Sequence, residues 1–491
     1  MLTDAEVVKL LFGFKLKYLR TELGLGLEEL AGKSGLSKSY IHELEKGKKY
    51  PKVDKIHILA KALGVDYDYL VSRRASKKIQ PVIDLLTSDV LREFPLDDFG
   101  VSTNLLMELL VNAPERVTAF ISTMTHMIRH FQVTREHLYF TALRAFQNLK
   151  NNYFLEVEDQ VKCFRETHNL PDVLDNGTIH LEQLLETAYG VQVDRQRFSE
   201  LITRGSCRSY YAEEHKVLYL RDGLSSAQER FLLGRELAFQ YTQWQPRPYE
   251  TRILEVPNFE VLYNNFQASY FSSALLMNED TLVKDIKEWA QDIVWNPDRL
   301  TRFLTKYQVT PEMLLQRMSN LLPHHLGLSD LFFIRLQADE ELTAYRMTKE
   351  LHLDRPHNPY ANALNEHYCR RWVSVNIIKQ ARQTRQKEVL IQAQMSEYWE
   401  AENTYFCFSL ARPSSTSRGK FSSVTIGLQL NEALREQFRF LNDPKLSRRI
   451  VNTTCERCSV PDCEARVRPA LVLEEKSENQ LLMEQLRRLD T

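Results

Sequence analysis

The spacing of apolar residues predicts a helical bundle at the start of the chain. Apolar positions recur every three and four residues, which is the period of a helix with one buried face. The predicted helices cover 14–23, 27–33, 38–45 and 53–63. Glycines such as Gly47 and Gly64 follow these segments, and Ser37 stands where the third helix needs an N-cap.

Helical periodicity continues through 81–154, and a short strand at 216–220 is followed by a helix at 225–244. Beyond residue 323 the period changes to two, which is typical of strands. The alternating segments are 331–337, 389–395, 405–411 and 424–430. They predict an antiparallel sheet similar to GAF-type small-molecule sensors, so the fold class is α+β multidomain and mostly α.

These patterns divide the chain into several predicted domains. The boundaries are 1–72 for an N-terminal helical bundle, 73–80 for a linker, 81–154 for a helical domain, 155–322 for a mainly helical domain with a short strand, 323–475 for the domain with the predicted sensor-type sheet and 476–491 for a C-terminal helix. The last helix is amphipathic, and we expect it to pack in a dimer.

The overall composition is ordinary, but the N-terminal segment has a local excess of basic residues. The chain has 491 residues, 43% hydrophobic and 26% charged, with a net charge of −1, which is ordinary globular usage. It has no apolar run of about 18 residues and begins with interspersed charges, so we expect a cytoplasmic protein without membrane contact. Residues 1–78, however, hold sixteen Lys and Arg against ten Asp and Glu. Such a basic segment is typical of phosphate binding, although a solvated helical face has the same composition.

The stretch LEELAGKSGLSKSYIHELEKGKKYPKVDKIHILAKALGV resembles the Cro/repressor-like, or XRE-type, helix-turn-helix family. The second helix of that motif enters the major groove of double-stranded DNA with its N-terminal residues against the base edges. The resemblance implies base contacts from Ser37, Lys38, Ser39, Tyr40 and His42, and phosphate contacts from Lys46, Lys48 and Lys49. A helical bundle without nucleic acid is the alternative.

The region from about 155 to 320 resembles the ImmA/IrrE family of zincin-like metallopeptidases, with a strand, a turn and a helix in that family's order. A zinc site of this type needs the pattern H-E-x-x-H on the helix. Here Arg235 and Phe239 replace the two histidines, and only Glu236 remains. The position of the third ligand offers Asn265 or Gln267. We expect a scaffold without catalysis, in which Glu236 pairs with Arg235 or Arg230; a metallopeptidase that acts on a repressor is the alternative.

Seven cysteines are too few for a disulfide scaffold. Cys163, Cys207 and Cys407 stand alone, and we expect them in or near the core. Cys455, Cys458 and Cys463 lie within nine residues, and Cys369 can supply a fourth thiolate. Four thiolates bind either a tetrahedral zinc or an iron–sulfur cluster, and spacing alone does not decide between them. Three clustered cysteines with one remote cysteine are commoner for a [4Fe–4S] cluster, which we therefore expect, with zinc and free thiols as the alternatives.

The order of these domains, with a C-x-x-W element and a terminal C-x2-C-x4-C-x2-R motif, resembles the bacterial short-chain fatty acyl and propionate-catabolism transcriptional regulators. Cys369 with Trp372 matches the first element, and Cys455, Cys458, Cys463 and Arg466 match the second. The resemblance implies a [4Fe–4S] cluster on these cysteines and an acyl-CoA or related metabolite as effector. We expect a homodimer, because one helix-turn-helix reads one half-site. A zinc-braced DNA-binding scaffold without a sensor is the alternative.

Overall fold

A computed structural model of the chain describes residues 4–74, 76, 79–86, 119, 123, 134–174, 177–202, 207–251, 256–353, 366–384, 388–399, 401, 403–413 and 421–488. The chain divides into two compact units, one of residues 1–146 with 255–263 and one of residues 147–254 with 264–491. Most of the predicted helical block at 81–154 lies outside the described residues, namely 87–118, 120–122 and 124–133. None of the helices in the described ranges has the length and apolarity to cross a membrane.

The first unit begins with a bundle of short helices. They are α1 (Asp4–Glu22), α2 (Leu27–Ser34), α3 (Lys38–Glu45), α4 (Val53–Leu63) and α5 (Tyr67–Val71). The bounds of α3 and α4 are those predicted, because local signals fix them. The Ser37 hydroxyl accepts the backbone N–H of Tyr40 at 3.2 Å, and Gly64 ends α4 with a left-handed φ of 71°. Two further helices of the first unit's range follow, α6 (Gln80–Leu86) and α7 (Arg135–Leu149).

Close packing holds α1 against α3. The Arg20 guanidinium donates to both carboxylate oxygens of Glu45, at 2.6 and 2.9 Å, and Glu45 is buried. Gly13 allows this approach, because a methyl group there would collide with the carbonyl oxygen of Leu44. On the same helix the buried Lys15 donates to the carbonyls of Tyr69, Ser72 and Arg74, at 2.6–2.7 Å. Helix α1 therefore contacts both α3 and the end of the bundle.

The first half of the second unit is mainly helical, with one small sheet. Its elements are α8 (Leu155–Thr167), α9 (Gly177–Tyr189), β1 (Gln192–Asp194), α10 (Arg197–Leu201), β2 (Ser209–Ala212), β3 (Val217–Leu220), α11 (Ser226–Thr242), α12 (Phe259–Leu276), α13 (Glu279–Ala290), α14 (Asp298–Tyr307) and α15 (Pro311–Leu326). In the sheet, β3 lies between β1, which is parallel to it, and β2, which is antiparallel. The predicted strand and helix at 216–244 correspond to β3 and α11.

A buried polar network joins three of these helices. The Arg317 guanidinium on α15 makes a bidentate ion pair with Glu158 on α8, and the hydroxyl of Tyr270 on α12 donates to Glu158 at 2.6 Å. All three side chains are buried. Each charge is paired and hydrogen-bonded, which is the condition for keeping ions in a protein interior.

A larger sheet occupies the second half of this unit. The elements are β4 (Leu331–Ala338), β5 (Tyr345–His352), α16 (Val373–Gln383), β6 (Leu390–Tyr398), β7 (Thr404–Pro413), β8 (Phe421–Gln429), α17 (Glu432–Gln437), β9 (Arg448–Val451) and α18 (Leu471–Arg487). The strand order is β5-β4-β8-β7-β6-β9. Helix α16 covers the face that carries Phe332, Ile334 and Leu336.

The structure corrects two details of the predicted sheet. Within the residues that the structure describes it has six strands where four were predicted, and β9 runs parallel to β6, so the sheet is mixed. The two missed strands are edge strands with polar sequences, and a strand that is half solvated carries a weaker hydrophobic period. The C-terminal helix begins at Leu471, earlier than predicted. The mostly helical chain, with an N-terminal helix-turn-helix bundle and a C-terminal sheet, is confirmed.

Candidate nucleic-acid interface and cysteine site

Helix α3 presents an accessible basic surface. Seven of the eight predicted DNA contacts are exposed, and Tyr40 is half-buried. The exposed ones are Ser37, Lys38, Ser39, His42, Lys46, Lys48 and Lys49. The opposite side of the helix holds it in the core through Ile41 and Leu44, which are fully buried. The arrangement leaves the N-terminal end of α3 free to enter a groove.

Two of these lysines have carboxylate partners in the structure. Lys38 lies 2.6 Å from Glu28, and Lys49 lies 2.7 Å from Glu43. These hydrogen bonds lower the pKa of both carboxyl groups. Both pairs are exposed, so exchanging the carboxylate for a DNA phosphate costs little. Lys46 and Lys48 make no such pair with any residue in the described ranges.

The positions where a zincin-like domain would hold its metal ligands carry a network of arginine, asparagine and glutamate side chains. Arg235 on α11 donates to the side-chain oxygen of Asn265 on α12 at 2.6 Å. The first histidine position and one of the two expected third-ligand positions therefore contact each other directly. Burial lowers the pKa of Arg235 to about 10, and the nearby Arg247 lowers it further.

Glu236 pairs with Arg247, a partner that the sequence analysis did not predict. The Arg247 guanidinium donates to both carboxylate oxygens at 2.9 and 2.6 Å, and both side chains are buried. It also lies over the ring of Phe239, with its central carbon 4.0 Å from the ring centroid. The expected pairing with Arg235 or Arg230 is wrong. Arg230 instead donates to backbone carbonyls, including that of Leu174 at 2.9 Å.

Sequence reasoning missed Arg247 because it lies in the loop after α11, outside the motif. One signal was available: a buried glutamate without metal ligands requires a cation within reach of the chain. The space around the ion pair is only about 20 Å³, scarcely more than one water molecule occupies. A guanidinium thus stands beside Glu236 in a filled cleft.

Backbone pairing brings two distant cysteine segments together. Tyr368 and Thr454 form an antiparallel bridge. On either side of it, the N–H of Cys369 donates to Thr453 at 3.1 Å, and that of Cys455 donates to the carbonyl of His367 at 2.9 Å. Burial raises the pKa of the Cys369 thiol, and the neighbouring Cys455 and Cys458 raise it further. Three of the four predicted ligands therefore lie in one buried neighbourhood.

The loop that carries the other cysteines is held by charged side chains. The Arg466 guanidinium donates to the carbonyls of Cys455, Cys458 and Val460, at 2.8–3.1 Å. Cys463 lies in this loop and is half-buried, and its carbonyl accepts the N–H of Arg466 at 2.9 Å. Among the residues that the structure describes, no three His, Cys, Asp or Glu side chains converge as ligands of one metal ion.

The remaining cysteines differ in exposure. Cys407 is buried on β7 as expected, Cys207 is half-buried, and Cys163 is exposed on α8, which corrects its predicted place in or near the core.

A cavity of about 650 Å³ lies beside the cysteine segments. It is lined by residues of β4, β5 and the Cys369 segment, including Tyr345, Arg346, His367, Arg370 and Arg468. The Arg370 guanidinium lies over the Tyr345 ring at 4.4 Å and donates to the carbonyl of Thr343 at 2.7 Å. The volume is within the range of small-molecule sites, and the lining holds three arginines beside the carboxylates of Asp339 and Glu366.

Comparison with known proteins agrees with two parts of this description. Residues 16–70 match a helix-turn-helix family model, and residues 187–319 match the model of the IrrE N-terminal-like domain. An uncharacterized HTH-type transcriptional regulator, y4dJ, of Sinorhizobium fredii is 42% identical over 62 residues, which is 13% of this chain and 80% of the relative. A solved Mycobacterium tuberculosis transcriptional regulator is 17% identical with a TM-score of 0.49, covering 67% of this chain and 94% of that one.

Proposed function

Because this chain belongs to the helix-turn-helix family of transcriptional regulators, we propose that it is a sequence-specific, dimeric regulator controlled by its C-terminal sheet domain. It is a DNA-binding transcription regulator with an IrrE-like domain. The observation that carries the proposal is α3, whose cationic and polar N-terminal end is exposed while its apolar side is fixed in the core.

The DNA-binding test starts with duplexes selected from a random library by the full-length protein. Lys48→Gln removes one phosphate contact, so the slope of log affinity against log salt should fall by about 0.9. Ser39→Ala should instead weaken the selected duplex more than a scrambled one. Lys61→Gln, which removes an exposed lysine of α4, is the control and should leave the slope unchanged. Absence of any salt-dependent duplex binding would contradict the proposal.

The dimer is proposed because an operator with two half-sites needs two reading helices. Helix α18 supports it with a group of exposed apolar side chains, Leu481, Leu482, Met483 and Leu486. Light scattering of the full chain should give twice the monomer mass. Changing Leu482 and Leu486 to Ser should shift the mass towards the monomer, and an unchanged mass would place the dimer contact elsewhere.

For the cysteine site we propose a [4Fe–4S] cluster held by Cys369, Cys455, Cys458 and Cys463. The donor set supports it: thiols from two segments are brought to one neighbourhood, and Arg466 fixes the loop that carries Cys455 and Cys458. The cluster supplies redox sensitivity when bound, while the protein supplies burial and the fixed loop. Zinc is the second candidate for the same thiolates.

One sample distinguishes the two metals. Protein purified without oxygen should be brown and contain about four iron atoms per chain, and Cys455→Ser should be colourless. Cys407→Ser, which alters a buried thiol outside the site, is the control and should stay brown. A colourless wild-type protein with about one zinc would leave the DNA-binding role intact and reduce the C-terminal domain to a zinc-braced scaffold.

The proposed effector is an acyl-CoA or a related metabolite, bound in the 650 Å³ cavity. Its arginines suit an anionic ligand, and its position beside the cysteine segments would couple ligand and cluster. Calorimetry with acetyl-CoA and propionyl-CoA tests this, with Arg370→Met as the binding variant. If neither compound binds the full-length protein, the effector is of another class.

We further propose that the IrrE-like domain has no peptidase activity. Arg235 and Asn265 occupy two metal-ligand positions, and the Arg247 guanidinium neutralises Glu236. A guanidinium has no lone pair to offer a metal. Zinc that is retained in Cys455→Ser but lost in Glu236→Gln, together with cleavage of a repressor, would instead support the metallopeptidase alternative.

A further inference from the structure

One face of the large sheet changes from apolar to cationic along its strands. Leu331 and Phe333 of β4 are buried on the face opposite α16, and the next residue on that face is Arg335. Lys349 of β5 lies directly across from Arg335. Arg412 of β7 shares the face, since Leu410, two residues earlier, is in register with Val424 and through it with Arg335. Three strands thus bring three cations to one end of the face.

A single carboxylate meets these cations. Glu312, in the first turn of α15, lies 2.6 Å from the Lys349 ammonium and 3.5 Å from the Arg335 guanidinium. Arg208, immediately before β2, and Arg412 also interact electrostatically with Glu312. Against the effect of burial, the charge of Glu312 raises the pKa of both Arg208 and Arg412. Four cations therefore surround one anion, with an excess of positive charge.

Arg208 and Arg412 are the unusual members of this cluster. Burial lowers the pKa of both, and each is close to other cations. Their guanidinium groups make no hydrogen bond or ion pair with any residue that the structure describes. The buried arginines elsewhere in this unit behave differently: Arg230 has carbonyl partners, and Arg247 and Arg317 have glutamates. Half-buried guanidinium groups that have no hydrogen bond or ion pair with a described residue are available to bind an anionic ligand.

We propose that Arg208, Arg335, Lys349 and Arg412 form a binding site for a small phosphate-bearing anion, such as one carrying a pyrophosphate group. The planar guanidinium fork matches the oxygens of a phosphate, and three forks reach this place from β4, β7 and the segment before β2. The start of the sixteen-residue helix α15 adds a favourable field for negative charge. The site shares no residue with the lining of the 650 Å³ cavity, and it does not depend on the DNA-binding proposal.

Such a ligand would add a further link between two halves of the unit that already meet through the Glu312 ion pairs. The segment before β2 belongs to the IrrE-like half, whereas β4 and β7 belong to the large sheet. An anion held by arginines of both halves adds binding free energy to the folded state only, so it should stabilise the unit as a whole.

The test uses inorganic pyrophosphate as the probe with the full-length protein, by calorimetry and by thermal unfolding, at constant ionic strength. We expect pyrophosphate to bind and to raise the melting temperature, and sulfate at equal ionic strength to do so much less. Arg412→Met and Arg208→Met should each weaken pyrophosphate binding about 10- to 100-fold. Arg302→Met, which removes an exposed arginine of α14, is the matched control and should leave the affinity unchanged.

Glu312→Gln should change the affinity for pyrophosphate in the opposite direction to the arginine variants. It therefore keeps the test decisive if an arginine variant fails to fold. Removing the competing carboxylate should lower stability without ligand but tighten pyrophosphate binding. Equal effects of sulfate and pyrophosphate, or equal losses in Arg412→Met and Arg302→Met, or no tightening in Glu312→Gln, would each overturn the proposal. Duplex binding is measured separately, so failure here leaves the regulator role unaffected.

Discussion

Removing Arg247 should destabilise the IrrE-like domain strongly. In Arg247→Met the buried Glu236 carboxylate loses two hydrogen bonds, of 2.9 and 2.6 Å, and keeps one from the Gln240 amide at 2.8 Å. Breaking one side of a buried ion pair costs about 3–5 kcal/mol, because the other charge stays buried without compensation. Loss of the contact with Phe239 adds about 0.5–2 kcal/mol.

The double variant Glu236→Leu/Arg247→Met separates the contribution of the ion pair to stability from that of side-chain packing. It removes both charges and keeps apolar volume, so we expect its stability within about 1 kcal/mol of the wild-type value. The matched control is Arg195→Met, in the same domain. Arg195 pairs with Glu182 and Glu229 but is 36% exposed, so its loss should cost about 1 kcal/mol or less.

Hydrogen exchange of α11 peptides in increasing urea measures the opening free energy of this domain separately from the others. We expect a large fall in the opening free energy for Arg247→Met and recovery in the double variant. If the opening free energy of Arg247→Met falls by less than about 1 kcal/mol, water reaches Glu236. The cleft would then be open, and metal binding there would need to be measured again.

Three further predictions concern other parts of the chain. Gly13→Ala should destabilise the N-terminal bundle by about 1–3 kcal/mol, because the new methyl group collides with the Leu44 carbonyl. Gly32→Ala on α2 faces open space and should raise the free energy of unfolding by about 0.5–1 kcal/mol. Thermal unfolding measures both variants, and equal effects would refute the close packing at Gly13. Lys15→Met should destabilise the same bundle by several kcal/mol, since three carbonyls lose a charged donor, and a neutral result in urea unfolding would contradict this. Burial alone would raise the pKa of Glu312, but Lys349 and Arg335 outweigh it and hold it at about 2. Because this folded-state pKa lies below the ordinary 4.5, the stabilisation by Glu312 is present above about pH 4.5 and lost as the pH falls towards 2; the difference in melting temperature between wild type and Glu312→Gln should shrink over that interval, and a constant difference would be evidence against the assignment.

Local signals explain which parts of the fold the sequence predicts well. Helices α3 and α4 were predicted with the bounds that the structure shows, because a serine cap and a left-handed glycine fix their ends. Strand β5 was missed because its sequence, YRMTKELH, alternates poorly at the edge of the sheet. Strand β9 has four residues, and among the described strands it pairs with β6 alone, through a register that no local signal encodes.

The candidate sites show the same division. The accessibility of Lys38 and His42 follows from the helical period of α3, so sequence alone could indicate it. The partner of Glu236 could not be identified in this way, because Arg247 follows the helix and reaches Glu236 by a path that depends on the loop. Cys369 and Cys455 were grouped from their residue type, but only the Tyr368–Thr454 bridge shows how 86 residues of separation are closed.

Helix α1 has a mechanical consequence for any control of DNA binding. Its Arg20 forms an ion pair with Glu45 at the end of α3. Its Lys15 donates hydrogen bonds to the carbonyls of Ser72 and Arg74, where the chain leaves the bundle. Helix α1 therefore connects the segment that leaves the bundle to the end of α3. A displacement of that segment would move the bundle as a whole. If the proposed dimer forms, a regulatory signal would change the orientation of each N-terminal bundle relative to the DNA, while the internal structure of the bundle stays constant.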